Sequence, residues 1–330
     1  MEEKTTLIDE RTIFALLRNA LGSKQNRKGL WLAIGVLLVT WLGVNAVWGL
    51  TSPEDTLISA WEKQLASRPI WIGATSVLLL TFGVFAAVGR KQAILVFIAV
   101  LFAYLIGVVV SRLAYSAVDP QFSVPLESAG DFMDYFWQRS FFLMPALPML
   151  VVYFFLKGHA DRQLLPWGNW QGSTRLFFEN ETKQSWRKQL VRWLLFIALP
   201  FALLMQISAG FAPIVSGKLF IFFIPIVLMA LFNAFAEELI FRGFIQAGLV
   251  DYLGPGLGLW LQGLYFGIHH WGASPDLIAG LPPALIVGFF GVVWGKSVLE
   301  TNGLGWAIAC HMFFDVAFFS VQFVAPVHVG

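Results

Sequence analysis

Charge is what this chain has little of. Asp, Glu, Lys and Arg make up 13% of its 330 residues, against roughly 25% in an ordinary soluble domain. A formal net charge of +2, with the basic residues at the ends of apolar runs rather than in one patch, reads poorly as a nucleic-acid footprint and better as a set of topology signals. Cysteine is scarcer still. The single Cys310 rules out an intramolecular disulfide and any cysteine-based metal cluster, and reads as a small packed core residue. The GxSG, GxGD and GxSxG patterns of serine and aspartyl hydrolases are absent, as is the HExxH spacing of familiar zinc proteases.

What fills the space is apolar. Hydrophobic residues account for 58% of the chain, and charge-free stretches run over 29–53, 69–89, 92–111, 140–156, 193–217 and 219–236. Each is long enough to cross about 30 Å of hydrocarbon as a helix. Segments 257–270, 277–295 and 304–324 are further candidates, interrupted by Gly, Pro and polar residues. The expected fold is all-α, a polytopic membrane helical bundle of about nine transmembrane helices in the lipid bilayer.

Loop charge sets the expected topology. Arg18, Lys24, Arg27 and Lys28 precede the first span, Arg90 and Lys91 follow the second, and Lys157, Arg162, Lys183, Arg187, Lys188 and Arg192 separate the fourth and fifth. The alternate loops carry Glu54, Asp55 and Glu62, then Asp119, Glu127, Asp131 and Asp134. This asymmetry predicts a cytoplasmic N-terminus in a cell-membrane protein, and the first span, longer than a signal-peptide core, is expected to remain as an anchor. Four regions follow: a polar arm over 1–29, a four-span accessory region over 30–157, an interfacial linker over 158–189 rich in Trp, Phe and cationic residues, and a helical core over 190–330.

The core region holds the chemistry. Glu237 and Glu238 stand side by side at the end of an apolar run, with Arg242 four residues beyond Glu238. An ionisable group at membrane depth costs a few kcal/mol even on lenient scales, so it faces a bundle interior or water and has a partner. Residues four apart share a helix face, so Glu238 and Arg242 are expected to form an ion pair. Glu237, rotated by about 100° from Glu238, lacks an obvious partner within its own helix and is the better candidate for a general base. Downstream, His269 follows Tyr265 by four and His270 follows Phe266 by four, and the spacing does not say which histidine faces the carboxylates. His311 and Asp315, again four apart, can pair so that the carboxylate fixes the ring's tautomer, or can bind metal. Buried polar glue would explain any one of these couples. All three in one half of the chain add desolvation cost without improving apolar packing. The glycines of GFFGVVWG, Gly288, Gly291 and Gly295, read as a small-residue face for close helix approach, with no catalytic weight.

The patterns EExxxR at Glu237–Arg242, FxxxH at Phe266–His270 and HxxxD at His311–Asp315, together with the lead-in GKSVLETNGLGWAIACH, resemble those of the CAAX-protease and bacteriocin-processing (CPBP) family, which includes Rce1-type intramembrane endopeptidases and the Abi proteins. The resemblance covers about residues 190–325 and implies a membrane helical bundle with a cavity open toward the cytosol that hydrolyses a peptide bond near the C-terminus of a membrane-associated peptide or protein. By motif position it makes Glu237 and His270 the pair that activates water, Glu238 and Arg242 the supporting ion pair, and His311 and residue 315 the neighbours of the developing oxyanion. Family members carry Asn or Asp at this last place. An ionised Asp315 would repel an oxyanion, so here it is expected to orient His311 or to be protonated. The resemblance implies a metal-independent glutamate mechanism at least as readily as a metal-assisted one; no cofactor is expected, with a zinc site of the His2Glu kind as the alternative. Two other classes compete: a proton-coupled transporter using the same intramembrane carboxylates and histidines, and a protease-like scaffold that binds a membrane partner without cleaving it. No oligomeric state is legible in the sequence.

Overall fold

The computed structural model describes residues 11–22, 24–51, 92–122, 140–157, 167–271 and 277–322. These residues form α1 (Ile13–Gly22), α2 (Lys24–Thr51), α3 (Gln92–Phe122), α4 (Ala146–Lys157), α5 (Trp186–Ser208), α6 (Lys218–Leu253), α7 (Pro255–Ile268), α8 (Leu277–Thr301) and α9 (Gly305–Gln322). The described residues are all-α apart from two two-residue strands, β1 (Ser173–Thr174) and β2 (Gln184–Ser185), paired antiparallel with Ser173 opposite Ser185.

Within these helices, Ala93–Ala114, Trp186–Ser208, Lys218–Leu253 and Gly280–Thr301 are long and apolar enough to cross a bilayer, and Ile13–Gly22, Gly29–Asn45 and Gly305–Val321 are shorter apolar segments. The described helices alone therefore do not reach the expected nine crossings, and the expected span over 69–89 lies outside the described residues. The helices that do cross present apolar side chains outward. Phe196 on α5 and Phe220 and Ile221 on α6 are each 74% exposed, a surface that suits hydrocarbon and not water.

The charge-free run over 219–236 stops at the carboxylates, and the helix expected to pair Glu238 with Arg242 continues it: α6 runs on to Leu253, with a π-helical stretch at Leu239–Gln246. The backbone can continue because Glu238 and Arg242 answer one another inside the bundle. A π-helical stretch widens the turn, a feature frequent at functional sites.

Residues 11–22, expected as part of a polar arm, form a docked helix instead. Thr12 Oγ1 accepts from the Ala15 amide at 3.2 Å to cap α1, and Ile13, Ala15 and Leu16 are buried. Trp260 of α7 donates its indole N–H to the Ile13 carbonyl at 2.9 Å.

The segment before α5 is latched onto the helices that follow. Buried Lys296 of α8 contacts Glu300 one turn along the same helix and donates to Thr174 Oγ1 at 3.2 Å. Trp186 donates its indole N–H to Glu300 Oε2 at 3.0 Å, and Trp306 donates to the Trp186 carbonyl at 2.7 Å. Breaking a buried pair by removing one partner costs about 3–5 kcal/mol. Lys296→Met is therefore expected to lower the unfolding midpoint in detergent well below that of a double variant that also carries Glu300→Gln. Equal midpoints would show that the latch contributes nothing.

Candidate functional site: a carboxylate–histidine cluster inside the bundle

Three helices bring the cluster together. α6 carries Glu237, Glu238 and Arg242, the C-terminal end of α7 carries His269 and His270, and α9 carries His311 and Asp315. Glycine sets how closely α7 approaches α8. A Cβ at Gly267 would lie 2.3 Å from the Ala284 carbonyl oxygen, so only a bare Cα permits this contact. Gly291 makes room of another kind, because a Cβ there would sit 3.2 Å from Arg242 Nη2 and from the Phe266 ring.

Arg242 and Glu238 are both fully buried, with Nη1 2.9 Å from Oε1. The contact is one of charge, since the guanidinium N–H groups are not aligned on the carboxylate as hydrogen bonds. The guanidinium lies 4.0 Å above the Phe266 ring and 5.3 Å from that of Trp294, two faces that suit a desolvated cation.

His311 sits between the two glutamates. Its Nδ1 is 2.9 Å from Glu238 Oε1, and its Nε2 is 3.7 Å from both Glu237 Oε2 and Asp315 Oδ1. The carboxylate that orients His311 is thus Glu238, across the helix interface. Asp315, expected to do this from its own helix, stands at the other nitrogen and accepts a hydrogen bond from Asn233 Nδ2 at 2.9 Å.

The ambiguity between the adjacent histidines is resolved. His270 Nε2 is 3.9 Å from Glu237 Oε2. His269 turns away into an aromatic wall, 4.4 Å from the Tyr265 ring centroid, 5.2 Å from that of Phe241 and 6.3 Å from that of Tyr104 on α3. His270 Nδ1 lies 2.9 Å from the Phe266 carbonyl. A carbonyl only accepts, so Nδ1 carries the hydrogen and the neutral ring presents Nε2 as an acceptor. Likewise, Nδ1 of His311 gives its hydrogen to Glu238.

Two residues that line the site stand outside the sequence patterns. Asn233, 3% exposed, lies one turn before Glu237; a polar amide among apolar residues is the signal that could have found it. Trp294 stacks on His311 with centroids 4.7 Å apart at 27°. It belongs to the GFFGVVWG run, where the glycines carry the legible pattern and the tryptophan does not.

Residues 217–317 match the model of a family described as type II CAAX prenyl endopeptidase Rce1-like. Over these residues the chain is Rce1-like. No curated protein and no solved structure matches it. The Rce1-like segment takes in the six expected site residues together with Asn233 and Trp294, while Tyr104 and α1 to α5 lie outside it. Family and helices together make this an integral membrane protein of protease type, with a membrane-associated protein or peptide as its class of substrate. An apolar groove of about 360 Å³, lined by Trp167, Phe232, Phe235 and Ile308 among others, lies elsewhere, and none of the cluster's carboxylates or histidines lines it.

Proposed function

We propose that the chain is an intramembrane endopeptidase in which Glu237 and His270 activate a water molecule for attack on a peptide bond. One observation carries the reading: Glu237 Oε2 and His270 Nε2, both acceptors, face one another across 3.9 Å. That is too long for a direct hydrogen bond and leaves room for a bridging water. A water can give one hydrogen to each. His311 Nε2, 3.7 Å from the same Glu237 oxygen, borders the same space.

In the proposed reaction a water O–H bond breaks and its proton passes to Glu237. The oxygen bonds to the scissile carbonyl carbon, and the carbonyl electron pair moves onto oxygen. His311, when Nε2 carries a proton, donates to that oxyanion. Collapse breaks the C–N bond, the nitrogen takes the proton from Glu237, and a carboxyl group and an amine leave. Glu238 and Arg242 hold His311 and each other in place.

The substrate is proposed to be a membrane-associated peptide or protein, cleaved near its C-terminus from the cytosolic side, in a bundle that crosses the cell membrane about nine times with its N-terminus inside. The family's description names a CAAX prenyl endopeptidase, and lipidation of the substrate is one of the things the experiment below reads out.

We propose no metal. The HExxH spacing of familiar zinc proteases is absent, and a zinc site of the His2Glu kind is the alternative. Purified protein is expected to carry substoichiometric zinc by elemental analysis and to keep its activity in chelator. Loss of activity with chelator, restored by zinc, would replace the glutamate mechanism by the metal-assisted one.

The test of the function compares peptide termini, by mass spectrometry, in membranes holding equal amounts of the native protein or Glu237→Gln. Termini that vanish with Glu237 are expected, and they name the substrate. Identical termini would move the reading to a scaffold or a transporter.

A further inference from the structure

We propose that Asn233 is a positioning residue of this site, holding the Asp315 carboxylate so that it faces His311. The inference rests on the endopeptidase reading and concerns a residue outside the three sequence patterns.

An amide buried in an apolar helix costs free energy unless it is hydrogen-bonded. Asn233 is 3% exposed, and its Nδ2 donates to Asp315 Oδ2 at 2.9 Å across the interface of α6 and α9. An ionised carboxylate only accepts, so the amide nitrogen and not its oxygen must face Asp315. The bond takes one carboxylate oxygen and leaves the other, Oδ1, turned toward His311 Nε2 at 3.7 Å. Glu237 Oε2 stands at the same distance from that nitrogen. Nε2 is therefore flanked by carboxylates from two helices.

This arrangement accounts for an aspartate where an oxyanion would otherwise be repelled. Asp315 is not the donor. It supplies a counter-charge to His311 when Nε2 carries the proton that meets the oxyanion, and Asn233 keeps it in that orientation. Asn233 and Glu237 are four residues apart on α6, so the base and the group that positions Asp315 share one helix face.

The experiment uses the full chain in liposomes with a quenched peptide spanning a cleavage found in the terminus comparison. The proteins are native, Asn233→Leu, Asn233→Asp, Asp315→Asn and the exchange Asn233→Asp with Asp315→Asn. Asn233→Leu is expected to lower kcat by at least about tenfold with KM within about twofold, the mark of a group that acts in the transition state. Asn233→Asp sets two carboxylates against each other and is expected to be worse. The exchange restores an amide–carboxylate pair and is expected to recover at least about tenfold over Asn233→Asp, a coupling that independent sites do not show. Native kcat in Asn233→Leu, or an exchange no better than its two single variants, overturns the proposal.

Unfolding midpoints of the same proteins decide the pairing without any substrate. Shifts in the exchange that merely add those of the singles overturn it too. Failure of the endopeptidase reading looks different: Glu237→Gln would then cleave like the native protein, whatever the exchange does.

Discussion

Glu237→Gln is expected to slow cleavage by about 10²- to 10⁴-fold, the usual worth of a positioned general base, while leaving the folded protein at native abundance. Glutamine keeps the shape of the side chain and one acceptor oxygen but does not take a proton from water. The substitution also leaves no buried cation stranded. Arg242 keeps Glu238 as its counter-charge, and His311 keeps Glu238 at Nδ1 and Asp315 beside Nε2. Rate and fold should therefore separate. Single-turnover cleavage, together with an unfolding midpoint on the same preparation, checks both halves, and a rate within twofold of native would remove Glu237 from the chemistry.

Arg242→Leu is expected to do the opposite, losing the fold and the reaction together. Its guanidinium is fully buried against Glu238 and lies over Phe266, so leucine strands a buried carboxylate at a cost of about 3–5 kcal/mol. Glu238 is also the group that holds His311, and a shift of its carboxylate moves the imidazole. Abundance in the membrane and the unfolding midpoint should both fall. Replacing Glu238 by Gln in the same chain removes the stranded charge and should recover part of the midpoint without recovering cleavage. A variant as abundant and as active as the native protein would contradict both roles.

Residue spacing encodes one of these two roles more fully than the other. Contacts within one helix follow from spacing, and the Glu238–Arg242 pair is present at 2.9 Å. Contacts between helices depend on rotation and register, which no single segment encodes. His269 and His270 each have an aromatic residue four positions earlier, so their local patterns are equivalent. The rotation of α7, set by the glycine contact with α8, sends one to Glu237 and the other to Tyr104 and Phe241. The same limit hides Asn233 behind its bond to Asp315 and Trp294 behind its stacking on His311. It also assigns His311 to the carboxylate on its own helix, when the shorter bond comes from Glu238.

The length of α6 bears on how deep in a membrane the cluster would lie. Its 36 residues span about 54 Å at about 1.5 Å per residue, well over the hydrocarbon thickness of about 30 Å. Glu237 lies 19 residues past Lys218, about 29 Å along the axis. His311 lies only six residues past Gly305, about 9 Å into α9. If Lys218 stands at one headgroup boundary, this length puts the cluster toward the opposite boundary and not at the midplane. Under the proposed endopeptidase reading, water would have a short path from that boundary, and a peptide anchored in the membrane would be cut where its chain emerges, without unwinding a helix at the centre of the lipid.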